Sequence, residues 1–350
     1  MTNQPLWPRV LVLGFLLSVT ESALPSGSAA VHANASDQQV AHAPSKSMRN
    51  LYEERKDLFE KTSTLSGIPW TYYAAVDQYE RTMTIAKKRP AHKGLISIYF
   101  PESEWAGMMN PDQQDTNPST ISVFHGYGRD GSGDGIADRN NDLDILASIT
   151  YLMSKTGIKE ENLQVNLWNF YQNSRSVERI KQFATIYGAF HTLDLEEHAF
   201  PLPTSADYSY RSTWGDNRGW GGHRSHEGTD LFARYGVPVR STCYGIIEVK
   251  GWNPYGGWRI GIRDVNNIYH YYAHLSAFQK GIKENVIVKP GQIIGWVGSS
   301  GYGKPGTSGK FPPHLHFGLY RDNGLTEWSF DPYPSLRKWE REDLSKKKKP

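Results

Sequence analysis

The sequence predicts a two-domain α+β protein, in which a mostly helical domain precedes an all-β domain with an antiparallel sheet. Apolar residues recur at helical spacing across residues 48–196. Across residues 200–334, Gly, Trp and Tyr become more frequent, and short β-like runs alternate with turn residues. A chain of 350 residues is long enough to form two such domains.

The composition argues against a nucleic-acid partner. The net charge is only +3, and positive and negative residues are interspersed along the chain. The 20 Tyr and 11 Trp residues are typical of carbohydrate-binding proteins, although aromatic cores have similar counts. The single cysteine, Cys243, excludes an intrachain disulfide, and its apolar surroundings predict a small buried hydrophobic residue.

The N-terminus predicts export from the cytoplasm. Residues 10–19 are apolar and follow one basic residue, but this run is shorter than the roughly 20 residues of a transmembrane helix. Residues 1–30 are therefore predicted to be a signal peptide. An uncleaved anchor is the alternative, and it would be the chain's only link to a membrane. Residues 31–47 are rich in small and polar residues and predict a linker.

A carboxylate interrupts an apolar stripe in the helical domain. Pro69 is placed to open a helix, and Glu80 falls on the apolar face of that helix. The apolar residues of this face are Tyr72, Tyr73, Val76 and Tyr79. Because desolvation raises the pKa of a carboxyl group, Glu80 is a candidate general acid. The alternative is a buried structural acid paired with an arginine.

An Asp/Gly-rich loop follows in the same domain. Asp130, Ser132, Asp134 and Asp138 occupy positions 1, 3, 5 and 9 of a calcium-loop pattern. Position 12 is Asn141 instead of Glu, so calcium binding and its absence are equally compatible with the pattern. A helix is predicted after the loop. Its inward residues are predicted to be Leu143, Leu146, Ile149 and Leu152.

The second domain is predicted to consist of short strands. They are predicted at residues 237–242, 245–249, 259–264, 268–273, 293–297 and 315–320. The last segment, 335–350, is rich in charge and ends in four lysines and a proline, which predicts a solvated tail. Weak binding of this tail to anionic wall polymers is the alternative.

Two short segments of the β domain predict a metal site. His226 and Asp230 form an H-x-x-x-D pair, and Gly228 disfavours a helix between them. His314 and His316 are two residues apart in a predicted strand, so their imidazoles share one face. One of these imidazoles can bind metal while the other transfers protons. Two His nitrogens and one Asp oxygen suit Zn²⁺ and leave a fourth position for water, as in catalytic zinc sites.

Four ordered motifs resemble the lysostaphin/LytM-type zinc metallopeptidases. They are HEGTD at residues 226–230, YYAHLS at 271–276, KPGQIIGWVGSSG at 289–301 and PHLHFGLY at 313–320. The resemblance implies a β-sheet fold around a groove and hydrolysis of peptide bonds in peptidoglycan.

The same resemblance implies roles for five residues. By position, His226, Asp230 and His316 match the zinc ligands. His314 matches the histidine that activates water, and His274 matches a second histidine that holds the water and the developing oxyanion. His270 is predicted on the same strand face as His274, with a structural or groove-rim role.

The loop before His314 and His316 differs from the family pattern. Residues 299–313 form a longer loop than is usual in the family, and we expect it to form one wall of the groove. The resemblance therefore leaves the scissile bond open between a stem peptide, such as L-Ala–D-Glu, and a cross-link. The whole sequence is similar to the sporulation-type L-Ala–D-Glu endopeptidases of Bacillus-like organisms.

The helical domain resembles lytic transglycosylases through residues 67–70, Glu80 and the Asp/Gly loop. This resemblance implies a lysozyme-like fold, in which Glu80 acts as acid and then base and Asp130, Ser132, Asp134 and Asp138 bind calcium. Glu80 is followed by Arg81, where the family commonly has a small residue. Glycan binding is therefore expected in preference to glycan cleavage.

Together these observations predict a secreted or wall-associated zinc endopeptidase. The helical domain is expected to position glycan strands, and the β domain to hydrolyse the stem peptides attached to them. The alternatives are a lytic transglycosylase that uses Glu80 and a non-catalytic wall-binding regulator.

Overall fold

A computed structural model describes residues 46–90, 92–218 and 224–347 of the chain. The predicted signal segment 1–30 and almost all of the predicted linker 31–47 lie outside the described residues. The helices are α1 (Lys46–Ser66), α2 (Trp70–Ala86), α3 (Glu102–Ala106), α4 (Pro118–Val123), α5 (Asp142–Ser154), α6 (Glu160–Tyr171), α7 (Ser174–Phe190) and α8 (Tyr333–Lys347). None of these described helices combines the length and the apolar character that a bilayer crossing requires.

Helix α2 lies at the centre of the helical region and packs against α1 and α7. Its first turn follows Pro69, as expected, because a proline lacks only an N–H that would be unpaired there. The predicted apolar stripe is buried, with exposed fractions from 0 to 6% for Tyr72, Tyr73, Val76 and Tyr79. Glu80 lies among them and is 3% exposed.

A second acid of α2, Asp77, connects three segments of the helical region. Its carboxylate accepts hydrogen bonds from Arg55 of α1, from Arg81 and from the backbone N–H of Ser97. Burial raises the pKa of Asp77, but the charges of Arg55 and Arg81 outweigh burial, so the pKa lies below its ordinary value. The fold thus favours the ionised form of Asp77.

The β region contains one large antiparallel sheet and a separate two-stranded pair. The strands are β1 (Tyr208–Tyr210), β2 (Asn217–Arg218), β3 (Arg224–Ser225), β4 (Thr229–Ala233), β5 (Pro238–Arg240), β6 (Gly245–Asn253), β7 (Gly257–Arg263), β8 (Tyr269–Phe278), β9 (Ile287–Val288), β10 (Ile293–Val297), β11 (His314–Asp322) and β12 (Glu327–Phe330). The main sheet has the order β1-β4-β11-β8-β7-β6-β9. Strand β12 pairs with β11, and β10 pairs with β5 and β8.

The two faces of this sheet have different roles. Leu315 and Phe317 of β11 and Tyr272 of β8 are fully buried in the hydrophobic core on one face. Because side chains alternate along a strand, His316 of β11 and Tyr271 of β8 face the other side. That side forms an open groove.

The charged C-terminal segment is a helix packed on the core, which corrects the prediction of a solvated tail for residues 335–347. Leu336 and Trp339 of α8 are 0 and 5% exposed, and the Trp339 ring lies 6.1 Å from that of Phe317. The two apolar residues share one helix face, and the buried Glu340 accepts hydrogen bonds from the Tyr208 and Tyr210 hydroxyls. Residues 348–350 lie outside the described residues.

Polar contacts connect the helical region to the sheet. Arg179 of α7 forms ion pairs with Glu248 of β6 and Asp322 of β11. Asn173 Nδ2 donates to the carbonyl of Gly324 at 2.8 Å, and Gln78 Nε2 donates to Asn266 Oδ1 at 3.1 Å. The helical region therefore packs directly against the turns at one end of the sheet.

Candidate active site

The predicted H-x-x-x-D pair and HLH segment converge in the structure. His226 follows β3, Asp230 lies in β4, and His316 lies in the neighbouring strand β11, directly opposite Asp230. Gly228 permits this approach, because a Cβ there would lie 2.7 Å from the His316 ring. Among the described residues, His226, Asp230 and His316 form the one group of three whose ligand atoms all lie within 4.8 Å of one another.

The three facing atoms form a nearly equilateral triangle. His226 Nε2 lies 2.9 Å from His316 Nδ1 and 3.2 Å from Asp230 Oδ1, and the distance from His316 Nδ1 to Asp230 Oδ1 is 3.0 Å. Tetrahedral zinc with ligands at about 2.0–2.1 Å has ligand–ligand edges of about 3.3 Å. The donor set and the spacing therefore both fit a zinc ion.

Backbone contacts orient the first histidine. The Nδ1–H of His226 donates to the carbonyl of Thr213 at 2.7 Å. This leaves Nε2 as the lone-pair nitrogen and directs it toward Asp230 and His316, which is the arrangement that metal ligands require.

The protonation states agree with a ligand set. Burial by itself raises the pKa of Asp230, but the contacts of its carboxylate with the His226 and His316 rings hold that pKa far below its usual range. Burial lowers the pKa of His316, against the opposing effect of the Asp230 carboxylate. A carboxylate beside neutral imidazoles presents the lone pairs that a cation needs.

His274 and His314 face each other beside the triad. Their ring centroids lie 4.8 Å apart, and His274 lies 5.9 Å from His316. Each donates its Nδ1–H to a backbone carbonyl, His274 to Ser300 at 2.7 Å and His314 to Pro312 at 2.8 Å. In both rings Nε2 is therefore the proton acceptor. Burial lowers the pKa of His274 well below its ordinary value, and His314 acts in the same direction.

A β-bulge places His274 in the groove, and the prediction that His270 shares its face is wrong. The pairing of β8 with β7 shifts register at this point, and His274 has a φ of 62°. A bulge re-aims a side chain that strict alternation would turn into the core. His270 is instead 1% exposed and bonds Thr242 and Asp264.

The groove beside the triad has a volume of about 600 Å³. Tyrosines line part of it, including Tyr269, Tyr271 and Tyr320. Gly261 leaves room for Tyr269, whose hydroxyl would lie 1.8 Å from a Cβ at position 261. These tyrosines were not identified from the sequence, although the two-residue spacing of Tyr269 and Tyr271 on a predicted strand was a usable signal.

The long loop 299–313 packs against the two groove histidines, in line with the expected groove wall. Tyr302 lines the groove. The Phe311 ring lies 4.6 Å from that of His274 and 5.1 Å from that of His314. The loop therefore shields both imidazoles on one side.

The Asp/Gly loop gives calcium no support. Asp130 accepts N–H bonds from Gly133 and Gly135, and Asp144 accepts them from Gly131, Ser132 and Asp138. The following helix begins with Asn141 as its cap, so this residue serves the helix. Leu143 is 45% exposed, contrary to prediction, because Asp144 and Ile145 occupy the buried positions of the first turn of α5. Leu146, Ile149 and Leu152 are buried as predicted.

Glu80 is held in a separate cavity of about 180 Å³. Tyr171 Oη donates to Glu80 Oε1 at 2.8 Å, and Arg89 Nη1 donates to Oε2 at 3.0 Å. Burial raises the pKa of Glu80, against the opposing effects of Tyr171 and Arg89. The turn with Gly324 and Leu325, between β11 and β12, lines the same cavity.

Comparison with known proteins adds independent findings. Residues 224–331 match the model of Peptidase family M23. The L-Ala--D-Glu endopeptidase of Bacillus subtilis (strain 168) is 55% identical over 313 residues, which are 88% of this chain and 96% of that protein. Lysostaphin from Staphylococcus simulans is 37% identical over 114 residues, 32% of this chain and 21% of that protein. The solved catalytic domain of the same lysostaphin has 32% identity and a TM-score of 0.32, covering 40% of this chain and 99% of that domain.

Proposed function

This chain belongs to peptidase family M23, and on that basis we propose that it hydrolyses the L-Ala–D-Glu bond of peptidoglycan stem peptides. The observation that carries the proposal is the 55% identity to an L-Ala--D-Glu endopeptidase along 96% of that protein's length. At the coarser level the chain is a peptidoglycan-hydrolysing metalloendopeptidase, and its family implies zinc. Its relatives act on the cell wall, which implies action outside the cytoplasm.

We assign His226, Asp230 and His316 as the residues that hold the zinc ion. The fit of their donor atoms and of the distances between them supports this assignment. When bound, zinc would act as a Lewis acid on the scissile carbonyl and lower the pKa of water.

The groove histidines would move and hold protons. His314 would accept the proton of the attacking water at Nε2 and pass it to the amine of the leaving residue. His274, neutral because of its burial, would accept a hydrogen bond from the same water at Nε2 and orient it. Their hydrogen bonds to the carbonyls of Pro312 and Ser300 support both roles, because they place the ring protons on Nδ1.

The helical region would support the peptidase and not cleave glycan. Both oxygens of Glu80 are engaged, by Tyr171 and Arg89. The Glu80 cavity of about 180 Å³ is smaller than the ~300 Å³ at which ligand pockets begin. A lysozyme-like fold for this region, glycan binding by it, calcium binding, the signal segment and a role in sporulation stay predictions. A non-catalytic regulator is set aside, because the chain belongs to a family of endopeptidases.

Digestion of purified peptidoglycan with the full chain tests the proposed bond. Mass spectrometry of the soluble products should find fragments with new D-Glu amino termini and L-Ala carboxyl termini. His314→Ala is the matched negative control. New termini at a cross-link would overturn the proposed bond, and anhydro-sugar ends would establish the transglycosylase alternative.

A further inference from the structure

Arg259 lies in the groove on the strand next to the one that carries His274. Its neighbour on β7, Ile260, is fully buried in the core, so Arg259 faces the opposite side of the sheet. There it lines the same groove as His226, His274 and His316. Its place in the groove makes it a candidate for contact with substrate.

The register of the sheet sets its distance from the triad. Trp258 pairs with Leu275 and Ile260 with Tyr272, so Arg259 lies opposite the bulge at residues 273–274. On the other side of β8, Ala273 pairs with His316. Arg259 and His316 are therefore in one cross-sheet row, two strands or about 10 Å apart at the backbone. An extended substrate rises about 3.3 Å per residue, so a group within two residues of the scissile bond comes within reach of the long Arg259 side chain.

The other arginines of the groove already have partners. Arg263 pairs with Glu248 and Glu327, and Arg179 pairs with Glu248 and Asp322. These pairs neutralise Glu248 and Glu327, the two acids that line this end of the groove. Within the described part of the chain, the Arg259 side chain makes neither a hydrogen bond nor an ion pair, and its Nε is buried without a hydrogen-bond partner. A buried guanidinium N–H without an acceptor is unfavourable, so the site favours an anion from outside the chain.

We infer that Arg259 binds the free carboxylate of the D-Glu residue on the leaving side of the scissile bond. The inference rests on the proposed function, because the residue after L-Ala there is an amino acid with two carboxyl groups. One carboxyl group continues the peptide chain, and the other is free to receive the guanidinium fork in a bidentate contact. A glycine bridge has no such carboxylate. Arg259 is thus a specificity-determining residue that selects stem peptides over glycine bridges.

Two matched synthetic stem peptides test the inference, one with D-Glu and one with D-Gln, whose free carboxylate is replaced by an amide. The wild type should cleave the D-Glu peptide with a kcat/KM about 10- to 100-fold higher, the factor expected for one charge-assisted contact. Arg259→Gln should lose that preference. Its kcat/KM for the D-Glu peptide should fall, while its kcat/KM for the D-Gln peptide stays within about threefold of the wild-type value. Arg259→Lys should restore part of the preference, because it returns the charge without the fork.

Arg234→Gln is the control, since this arginine is outside the groove and its side chain is 85% exposed. It should keep the wild-type ratio between the two peptides. Equal cleavage of both peptides by the wild type, or an equal loss on both in Arg259→Gln, overturns the role of Arg259 alone. If the wild type cleaves neither peptide yet releases other fragments from peptidoglycan, the proposed bond is wrong, and the role of Arg259 falls with it.

Discussion

Asp230 in the sheet and Glu80 in the helical region are both buried carboxylates, yet their neighbours differ in kind. Asp230 is 5% exposed and faces the nitrogen atoms of His226, His314 and His316 beside an open groove. Glu80 is 3% exposed and faces a guanidinium and a phenol in a small cavity. An arginine neutralises the charge of a buried carboxylate from within the protein. Neutral imidazoles do not, so a carboxylate beside them favours a bound cation. Burial alone therefore does not identify a functional acid.

The largest effect on peptidase activity is expected for His314→Ala, which removes a proton acceptor and leaves the three proposed metal ligands in place. His314→Ala should reduce peptide release from peptidoglycan by about 10²- to 10⁴-fold, because it removes the proposed general base. His191→Asn is a suitable control, since His191 is exposed at the end of α7 and Asn tolerates its φ of 55°. Undiminished peptide release by His314→Ala would show that the proton acceptor is another group.

Asp77, like Glu80, is a buried acid with arginine partners. Asp77→Asn leaves Arg55 buried without its counterion, and it should lower the free energy of unfolding at pH 7 by about 3–5 kcal/mol. The folded-state pKa of Asp77 lies below the unfolded value of about 3.9. The ionised group therefore stabilises the fold above that pH, and this stabilisation is lost as the pH falls through the folded-state pKa.

Urea unfolding of wild type and Asp77→Asn across pH 2 to 7 provides the measurement. The gap between the two proteins should narrow as the pH falls below about 4. A gap that stays constant over this range would show that the charge of Asp77 is not what stabilises the helical region.

The smallest effect is expected at Glu80. Glu80→Gln should change peptidase activity by less than about threefold, since Glu80 lies in a separate cavity from the triad. Gln has nearly the size of Glu and can still accept the Tyr171 hydrogen bond, so the free energy of unfolding should change by only about 1 kcal/mol. Muropeptide analysis should find no change in anhydro-sugar ends. If the wild type produced anhydro-sugar ends and Glu80→Gln did not, Glu80 would be a catalytic residue for glycan cleavage.

The sequence predicted those parts of the site that depend on local periodicity. Strand β10 has the predicted bounds, and the two-residue spacing of His314 and His316 placed both rings on one face. The H-x-x-x-D pair needed only a tight turn, for which Gly228 was a visible signal. The assignment of zinc came from the chemistry of the donor set and from the resemblance. Both could be recognised in the sequence because each depends on a few residues in short motifs.

The remaining features depend on partners that are distant in sequence. The bulge that turns His274 into the groove arises from the pairing of β8 with β7, so strict alternation wrongly placed His270 beside it. Helix α8 was taken for a solvated tail because its charged residues outnumber its two buried apolar residues, Leu336 and Trp339. Arg259 could not be singled out before the ion pairs of the other groove arginines were known.

Zinc content per chain is the most direct test of the central claim that His226, Asp230 and His316 hold one ion. Elemental analysis of purified wild type, His314→Ala and His316→Ala should be made after removal of loosely bound metal. The account predicts one zinc per chain in the wild type and in His314→Ala, and none in folded His316→Ala. Full zinc content in His316→Ala, or its loss in a folded His314→Ala, would contradict the account.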